Sequence, residues 1–316
     1  GTESMSNIPL YYGPQMTNFF ERMFRAKSIF QKLATLASFR PSFLKPILGI
    51  QLGLTDPVCG MNLGQTAEQL SREFHITRAE QDAYALLSHQ RASSAQQAGR
   101  LSGEIIPVPM PPHYDKSIEL DDGIRHEQTL AALEKLRPYF DRNNGTVTVG
   151  NACPITDGAG AMIVMKESEA KERELEVLGY LRAYAYAGLD PRRMGLGPVY
   201  ATAKLCERYG FQMSDFELIE INEAFAAQVI ACERAFESDT FAKQYLNRDT
   251  ALGAIDPEIL NVNGGAIALG HPVGTTGARL VMTLLYELKR RGLQRGLASL
   301  CIGGGQGAAF VLETAA

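Results

Sequence analysis

The pattern of apolar positions divides the chain into a helical first part and an alternating second part. Apolar residues recur at helical spacing over 64–99, where Thr77-Arg-Ala-Glu80 has the form of a capping box and Gly99 suits a helix end. From residue 178 onward, short apolar runs that predict strands alternate with longer runs that predict helices. The predicted strands cover 178–187, 216–221, 297–302 and 308–312, and the predicted helices cover 199–209, 223–236 and 276–291. This alternation favours a layered α/β domain.

A polar, irregular stretch separates these two parts. Residues 103–145 are rich in proline and aspartate and predict few regular elements. The apolar run 161–165 that follows predicts a buried strand, and the charged run 166–176 predicts a surface helix and linker. Residues 145–165 and 301–312 both place a glycine-rich turn before an apolar run, which is a weak sign of a duplicated half-domain.

The segment 14–46 differs from its surroundings in charge. It carries six basic residues against a single acidic one, Glu21, and its apolar residues recur at helical spacing. We predict a basic amphipathic helix or helical pair that ends at Pro41 and Pro46. Such a segment either packs its apolar face on its own domain or docks on a membrane surface or partner subunit. The sequence leaves both interpretations open.

Composition narrows the class of protein. The 316 residues, of which 45% are apolar and 21% charged, are typical of a globular protein with two or three lobes. A net charge of −4 and a pI near 5.8 argue against nucleic-acid binding. The five cysteines are widely spaced, which predicts free thiols in a reducing compartment rather than a disulfide framework or a zinc site. No apolar run reaches the length that a membrane-spanning helix needs.

Two glycine-rich loops near the C-terminus carry candidate chemistry. Asn-Gly-Gly-Ala-Ile-Ala-Leu-Gly-His-Pro spans 263–272 and contains His271, and Cys-Ile-Gly-Gly-Gly-Gln-Gly spans 301–307 and opens with Cys301. Glycine lets the backbone approach a ligand closely and present its N–H groups. A cysteine and a histidine held in this way predict thiol-based acyl chemistry. The second loop lacks the following helix and the acidic residue of a dinucleotide-binding loop, so we predict a β-turn there instead.

Two polar residues have a structural and a functional interpretation. His271 precedes the predicted helix 276–291, whose positive N-terminal potential keeps an imidazole neutral and able to act as a base. A lone histidine is nevertheless often structural. Asn222 follows the predicted strand 216–221, which is a usual position for a site residue in α/β folds. Equally, it is a good cap for the helix that follows.

Together these motifs resemble the thiolase superfamily. Asn222-Glu-Ala-Phe225, Gly270-His-Pro272 and Cys301-x-Gly303 are similar, in order and spacing, to its three C-terminal signatures. The resemblance is closest to the thiolase subunit of fatty-acid oxidation trifunctional complexes, because of the basic 14–46 insertion and two further stretches. Those stretches are Gly197-Pro-Val-Tyr-Ala-Thr202 and Phe241-Ala-Lys-Gln-Tyr245, and other family-like stretches are Gly1-Thr-Glu-Ser-Met-Ser6, Leu63-Gly-Gln-Thr-Ala-Glu68, Glu80-Gln-Asp-Ala-Tyr84 and Asp157-Gly-Ala159.

The resemblance implies a fold and a reaction. The fold is α/β, a duplicated βαβαβαββ arrangement layered α-β-α-β-α, with an incomplete first half and a mostly helical inserted loop domain. Residues 1–8 and 148–170 would belong to the first half, 9–147 to the loop domain and 171–316 to the second half. The reaction is cleavage of a 3-ketoacyl-CoA by CoA to acetyl-CoA and a shortened acyl-CoA. The alternative function is that of a biosynthetic acetoacetyl-CoA thiolase.

The resemblance also implies residue roles. His271 would activate a nucleophilic thiol and Cys301 would move the proton at the α-carbon. Asn222 with His271, and the Gly303 N–H with the nucleophile's own N–H, would form two oxyanion holes. The acyl-CoA channel would be lined by Phe225, Met194, Leu63, Phe140 and Cys153. The first four are equally acceptable as core residues, and Cys153 stands where many family members have a small polar residue. Coenzyme A is a substrate, and no metal or other cofactor is implied.

One departure from the family concerns the nucleophile. The family's nucleophilic cysteine lies upstream of the stretch that is Gly1-Thr-Glu-Ser-Met-Ser6 here, so we expect this chain to be a fragment or processed form that is inactive alone. Cys59 does not replace that cysteine. A truncated, non-catalytic scaffold subunit is the alternative, although intact Asn222, His271 and Cys301 favour the enzyme.

The resemblance further implies partners and a compartment. We expect a homo-oligomer, a possible hydratase/dehydrogenase α subunit and peripheral membrane contact through 14–46. A bacterial protein of this kind would be cytoplasmic, and the alternative is the mitochondrial matrix.

Overall fold

The computed structural model describes residues 1–315. The helices are α1 Pro14–Arg25, α2 Ile29–Ala37, α3 Gly49–Gly53, α4 Leu63–Glu73, α5 Arg78–Gln97, α6 Leu130–Glu134, α7 Glu167–Glu172, α8 Gly197–Tyr209, α9 Ala226–Phe236, α10 Asp239–Tyr245, α11 Ala266–Leu269 and α12 Val273–Arg291. The strands are β1 Thr2–Ser4, β2 Leu10–Tyr12, β3 Pro46–Leu48, β4 Val108–Pro109, β5 Ser117–Ile118, β6 Asp157–Ala159, β7 Gly179–Gly188, β8 Leu218–Ile221, β9 Arg295–Ile302 and β10 Gln306–Thr314. Single 3₁₀ turns cover Pro41–Leu44, Pro191–Leu196 and Met213–Asp215.

A four-stranded mixed sheet forms the centre of the second half of the chain. Its strand order is β7-β10-β9-β8, in which β8 and β9 run parallel and the other neighbours run antiparallel. Helices α8 and α9 pack on one face and α12 packs on the other. The α/β class that the alternating pattern predicts is therefore confirmed.

Alternation along the strands explains how both faces are covered. Ile219, Ile221 and Val311 belong to the apolar cluster on the α8 and α9 side, whereas Leu218 and Leu312 belong to the cluster on the α12 side. Burying each large apolar side chain contributes about 1.5–3 kcal/mol to folding. Since every residue of β8 is buried, a polar residue on this strand needs a partner inside the fold.

A buried carboxylate joins α5 to the loop before α11. Glu223 accepts hydrogen bonds from Tyr84 Oη at 3.2 Å, Ser88 Oγ at 2.6 Å and Asn261 Nδ2 at 3.0 Å. It also accepts one from the backbone N–H of Ile267 at 3.2 Å. These bonds satisfy a charge that would be costly to bury alone, and they fix the loop that leads to His271.

The antiparallel pair β1–β6 supports the first turn of α12. The N–H of Gly274 donates to Glu3 Oε2 at 3.2 Å, and Thr275 Oγ1 donates to the carbonyl of Gly158 at 3.2 Å. A Cβ added to Gly158 would lie 2.7 Å from Cγ of Pro272, so this glycine lets β6 approach the start of the helix. Strands β1 and β6, which are far apart in the sequence, thus pair next to the segment that carries His271.

Most predicted elements occur at their predicted places. The Thr77 capping box is present, and Gly99, Gly210 and Gly292 have positive φ angles of 68°, 78° and 67° next to helix ends. The two helices of 14–46 form, but the second ends at Ala37 and Pro41 begins a 3₁₀ turn. The predicted helix 223–236 begins only at Ala226, because Phe225 is extended and pairs with Ala152 in an isolated β-bridge.

The strand predicted at 161–165 is absent. These residues have no regular secondary structure, and the side chains of Ile163 and Val164 are 86% and 78% exposed. An apolar run becomes a strand only where a neighbour offers backbone hydrogen bonds and an apolar face. Among residues 1–315, no strand pairs with residues 161–165. The prediction from the apolar run was therefore wrong for this structure, and the division of the chain into two halves and a loop domain stays a prediction.

The basic segment 14–46 leaves much of its apolar surface exposed. Met16 and Phe19 are buried, but Phe24 is 93% and Phe30 79% exposed. The exposed apolar side chains of the segment also include Phe20, Ile29, Leu33, Leu36 and Leu44. The structure therefore does not support the interpretation in which the whole apolar face packs on its own domain. Among the described helices, none combines the length and hydrophobicity of a membrane span.

Candidate active site

Asn222 lies at the carboxyl end of β8, where the chain leaves the sheet. Its backbone N–H donates to the carbonyl of Ser299 on the neighbouring β9 at 3.0 Å, and its side chain is fully buried. The interpretation of Asn222 as a helix cap is wrong, because α9 begins at Ala226 and the residue at its cap position is Phe225. A buried amide at a strand end is instead free to serve a site.

His271 meets this asparagine from the loop between α11 and α12. Gly270 has a φ of 94° and a Cβ there would lie 2.5 Å from Cγ2 of Thr156, so a glycine is needed to bring the loop to this point. The His271 backbone N–H donates to Thr156 Oγ1 at 3.2 Å. The ring is then held at both nitrogens: Nε2 lies 3.3 Å from Asn222 Nδ2, and Nδ1 lies 2.7 Å from Thr276 Oγ1.

The environment keeps this imidazole uncharged. Burial, and secondly the positive charge of Arg279, lower the pKa of His271 to about 4. A neutral ring at physiological pH can accept a proton, as a general base must. The sequence predicts a neutral ring from the helix N-terminus alone, whereas the structure supplies desolvation as the main cause.

Cys301 and Gly303 lie in the hairpin between β9 and β10. Gly304 and Gly305 have φ angles of 83° and 75°, and a Cβ on Gly305 would lie 2.2 Å from the carbonyl oxygen of Leu189. The predicted β-turn is therefore confirmed. Cys301 is buried, and burial raises the pKa of its thiol to about 12. The group is consequently a protonated thiol at neutral pH.

Cys153 lies beside the same site. Its backbone N–H donates to the carbonyl of Ala224 at 3.0 Å, which holds it next to the Asn222-Glu-Ala-Phe225 stretch. Burial, followed by the proximity of Cys301, raises the pKa of the Cys153 thiol to about 12. Such a thiol is a poor nucleophile at neutral pH, so its position favours lining over catalysis.

The apolar residues predicted to line the substrate channel lie together. Cys301, Met194 and Phe225 belong to one buried cluster, and Leu63 and Phe140 pack against it. The rings of Phe140 and Phe225 are 5.9 Å apart in an edge-to-face arrangement. A Cβ on Gly303 would lie 3.9 Å from Cδ2 of Leu63, so the hairpin also contacts this cluster. The structure thus brings both groups of predicted residues to one end of the sheet.

Three contributors to the site were missed by the sequence argument. Thr276 contacts the His271 ring, and Arg279 lowers its pKa. Arg279 Nη1 in turn lies 3.3 Å from Glu220 Oε2, and burial raises the pKa of Glu220 to about 8. The spacing of Thr276 and Arg279 after His271 places both on the first turns of one helix, which is a signal that the sequence offered. Nothing in the sequence indicated that Glu220 faces the same helix.

No cluster of three or more histidine, cysteine, aspartate or glutamate side chains within residues 1–315 is arranged to hold a metal ion. All five cysteines are unpaired in the structure. Cys59 lies in a turn held by Asp56, whose carboxylate accepts from the N–H groups of Val58 and Cys59 at 2.8 and 2.9 Å. Cys59 is not part of the buried cluster around Cys301.

A buried thiol, a neutral histidine and a strand-end amide on a layered α/β sheet define an acyl-transfer type of site. The family model of the thiolase N-terminal domain matches residues 1–168, and the family model of the thiolase C-terminal domain matches residues 175–314. The chain belongs to the thiolase family.

Several known proteins are similar to this chain over its whole length. The 3-ketoacyl-CoA thiolase of Pectobacterium carotovorum is 42% identical over 314 residues, which are 99% of this chain and 71% of the relative. The enzyme of the same name from Pseudoalteromonas translucida is 41% identical, over 100% of this chain and 72% of the relative.

Solved structures agree with these relatives. The Bacillus anthracis acetyl-CoA acetyltransferase has a TM-score of 0.81 at 34% identity, with 100% of this chain and 71% of that chain covered. Human mitochondrial 3-ketoacyl-CoA thiolase in complex with CoA has a TM-score of 0.80 at 35% identity, with 100% and 70% covered. The predicted thiolase fold class is confirmed.

Proposed function

We propose that the protein is an acetyl-CoA C-acyltransferase that cleaves 3-ketoacyl-CoA with CoA. The products are acetyl-CoA and an acyl-CoA shortened by two carbons. The single observation that carries this proposal is the hydrogen-bonded Asn222–His271 pair at the strand end beside the buried Cys301 hairpin. The relatives named as 3-ketoacyl-CoA thiolases support the choice of substrate.

His271 acts first, as the base for the family's nucleophilic cysteine. The neutral ring takes the thiol proton on Nε2, and the thiolate attacks the keto carbon of the substrate. The C2–C3 bond then breaks, which leaves an acyl group on the cysteine and an enolate of acetyl-CoA. The protonated ring now donates its Nε2–H to the enolate oxygen.

Cys301 completes this half-reaction with its own proton. A thiol whose pKa is raised by burial is protonated at rest and can donate to the α-carbon of the enolate. The resulting thiolate is a strong base in the same buried place, and it is reprotonated when CoA enters as the second thiol. The CoA thiolate then attacks the acyl-cysteine and releases the shortened acyl-CoA, and the freed cysteine thiolate takes back its proton from Nε2 of His271.

Two sets of donors stabilise negative oxygen atoms. Asn222 Oδ1 is buried and has no hydrogen-bond partner among the described residues, so it can orient a water that donates to the enolate oxygen beside His271. The Gly303 N–H, together with the nucleophile's own N–H, would hold the acyl-thioester oxygen. The apolar cluster of Leu63, Phe140 and Phe225 would contact the pantetheine and acyl chain, with Met194 and Cys153 behind it.

Replacing Asn222 by alanine in the enzyme that carries the family's nucleophilic cysteine tests this proposal. Losing one oxyanion contact is expected to lower kcat for thiolysis by about 10²–10³-fold. Thiolysis is followed with acetoacetyl-CoA and with a long-chain 3-ketoacyl-CoA. Asn263→Ala, which removes another buried asparagine nearby in sequence to His271, is the matched control. An Asn222→Ala enzyme as active as the control, or no thiolysis of either substrate by the wild type, would overturn the proposal.

A biosynthetic acetoacetyl-CoA thiolase is the second candidate. The similarity to the Bacillus anthracis acetyl-CoA acetyltransferase favours it, whereas the higher identity to 3-ketoacyl-CoA thiolases favours degradation. Efficient thiolysis of the long-chain substrate in the same assay distinguishes the two. We also propose a homo-oligomer in the bacterial cytoplasm, with the mitochondrial matrix as the alternative compartment, and a hydratase/dehydrogenase subunit as a partner that co-purification would reveal.

We further propose that segment 14–46 docks on an anionic membrane surface. Its six basic residues against one acidic residue attract anionic lipid, and its exposed phenylalanine and leucine side chains can enter the interface. Each basic residue near such a surface contributes about 1 kcal/mol. An anionic lipid surface would bind the basic residues and the exposed apolar side chains of the segment at the same time.

Vesicle co-sedimentation tests this docking. We expect the protein to bind phosphatidylcholine vesicles that contain phosphatidylglycerol, and Phe24→Glu/Phe30→Glu to lose that binding. The matched control is Ile106→Glu/Leu120→Glu, which changes two exposed apolar residues outside the segment. Equal loss in both double variants, or no binding by the wild type, would contradict membrane docking. Capture of a hydratase/dehydrogenase subunit through the segment, without vesicle binding, would replace the lipid by that partner.

A further inference from the structure

The contacts of Thr276 give it a defined place in the proposed site. Its side chain is 1% exposed, and its Oγ1 lies between two groups. Oγ1 donates to the carbonyl of Pro272 at 3.0 Å, and it lies 2.7 Å from Nδ1 of His271. A hydroxyl has one proton and two lone pairs. With its proton on the Pro272 carbonyl, Thr276 is left as an acceptor toward the ring.

The other end of the ring agrees with this assignment. Asn222 Nδ2 faces His271 Nε2 at 3.3 Å, and an amide nitrogen can only donate. Nε2 must therefore offer a lone pair, which leaves the proton of the neutral imidazole on Nδ1. The two contacts come from different elements, β8 and α12, and both require the same ring.

We propose that Thr276 is a positioning residue that selects the Nδ1–H tautomer of His271, so that Nε2 carries a lone pair and no proton before the reaction starts. This inference rests on the proposed function, in which Nε2 receives the thiol proton. The opposite tautomer would present a proton where the base needs a lone pair. Because Thr276 is almost fully buried, water cannot readily supply another acceptor for Nδ1–H in its place.

Within residues 1–315, no ion pair competes with the hydrogen bond between Thr276 Oγ1 and His271 Nδ1 in setting the tautomer. Arg279 stands two residues beyond Gly277 on the same helix and has Glu220 as its partner at 3.3 Å. No carboxylate is hydrogen-bonded to either ring nitrogen among the described residues. An uncharged hydroxyl orients a neutral imidazole without raising its pKa, which an adjacent carboxylate would do.

The ring nitrogens of histidine report the tautomer directly in ¹⁵N NMR spectra. The 316 residues contain five histidines, so labelling histidine alone gives few signals, and His271→Gln identifies the signal of interest. We expect wild type to show a protonated Nδ1 and an unprotonated Nε2 at neutral pH. Thr276→Val keeps the branched shape but removes the hydroxyl, and it should shift the ring toward the Nε2–H form or a mixture. Thr276→Ser should restore the wild-type ring signals.

Thr283→Val is the matched control for folding. Thr283 is a buried threonine on the same helix, and its hydroxyl donates to Glu104 at 2.6 Å, away from the ring. It should leave the His271 signals unchanged. An Nε2–H ring in wild type, or wild-type ring signals in a folded Thr276→Val protein, would overturn the proposal. If Thr276→Val fails to fold, Thr276→Ala replaces it as the variant without the hydroxyl, and wild-type ring signals in that protein would overturn the proposal.

Thiolysis assays on the same variants separate this inference from the proposed function. We expect Thr276→Val to lower kcat by about 10²-fold with KM unchanged, since the base is present but wrongly protonated. A changed tautomer with unchanged thiolysis would support the positioning role and count against His271 as the base. An unchanged tautomer with reduced thiolysis would overturn the positioning role and would leave His271 as the proposed base.

Discussion

His271→Ala is expected to abolish thiolysis while the protein remains folded. In the proposed mechanism the residue provides both the base and one oxyanion donor, so the loss in kcat should reach about 10⁴-fold, the upper end for a general base. Folding should survive because the ring makes two side-chain hydrogen bonds, each contributing about 1 kcal/mol. The measurement is steady-state thiolysis alongside thermal unfolding of the same sample.

His126→Ala is the control for this prediction. Its Nδ1 also lies beside a hydroxyl, Ser93 Oγ at 2.8 Å, but the ring is exposed and outside the site. It should keep near-normal turnover. A His271→Ala enzyme that works within about tenfold of wild type would remove His271 from the mechanism.

The same histidine predicts how activity and stability depend on pH. With a folded-state pKa of about 4, His271 is neutral at pH 5 and above and gives no acid limb to kcat/KM there. In the unfolded chain its pKa is about 6.5, so the unfolded state binds more protons between those two values. The contribution of the neutral ring to stability is therefore present above about pH 6.5 and is lost as the pH falls toward 4.

Cys301→Ala is expected to stop proton exchange at the α-carbon of acetyl-CoA. Incubation of the wild-type enzyme with acetyl-CoA in deuterated water should place deuterium in the acetyl methyl group, because in the proposed mechanism Cys301 removes and returns that proton. Without the thiol, both this exchange and kcat for thiolysis should fall by about 10²–10⁴-fold. Mass spectrometry of the recovered acetyl-CoA measures the exchange.

Cys206→Ala is the matched control for the removal of a buried thiol. Cys206 is as buried as Cys301, and burial likewise raises its pKa to about 11, but it belongs to the core cluster beneath α8. Its replacement should leave deuterium exchange intact. Exchange at the wild-type rate in Cys301→Ala would assign the α-carbon proton to another group.

Local sequence was sufficient for the elements that fold by their own pattern. The helices 199–209 and 276–291 and the strands around 297 and 308 were located within a few residues, because apolar periodicity, glycine stops and capping residues act over a single turn or strand. The 161–165 run shows where this fails. Its composition suits a strand, but a strand also needs a neighbour, which is a property of the fold and not of the run.

The site residues divide in the same way. Motif resemblance predicted Asn222, His271, Cys301 and Gly303 as site residues, because each stands in a short stretch whose order and spacing are visible in the sequence. The partner of Nε2 was not visible, since Asn222 and His271 lie 49 positions apart in the sequence. The partner of Nδ1, Thr276, is only five residues from His271, and its spacing was a signal that the sequence argument did not use. The pairing of Arg279 with Glu220 was not visible either, since they meet only because α12 covers one face of the sheet.

The sequence by itself determined the α/β class, the resemblance to thiolases, the free thiols and the unusual charge of segment 14–46. Only the tertiary structure decided that Asn222 is not a helix cap, that most large apolar side chains of 14–46 are exposed, and that the hydroxyl of Thr276 contacts the His271 ring. The physical reason is the range of the forces involved. Periodicity and turn chemistry act between neighbours in the chain, whereas desolvation and the pairing of polar groups depend on everything packed around a residue.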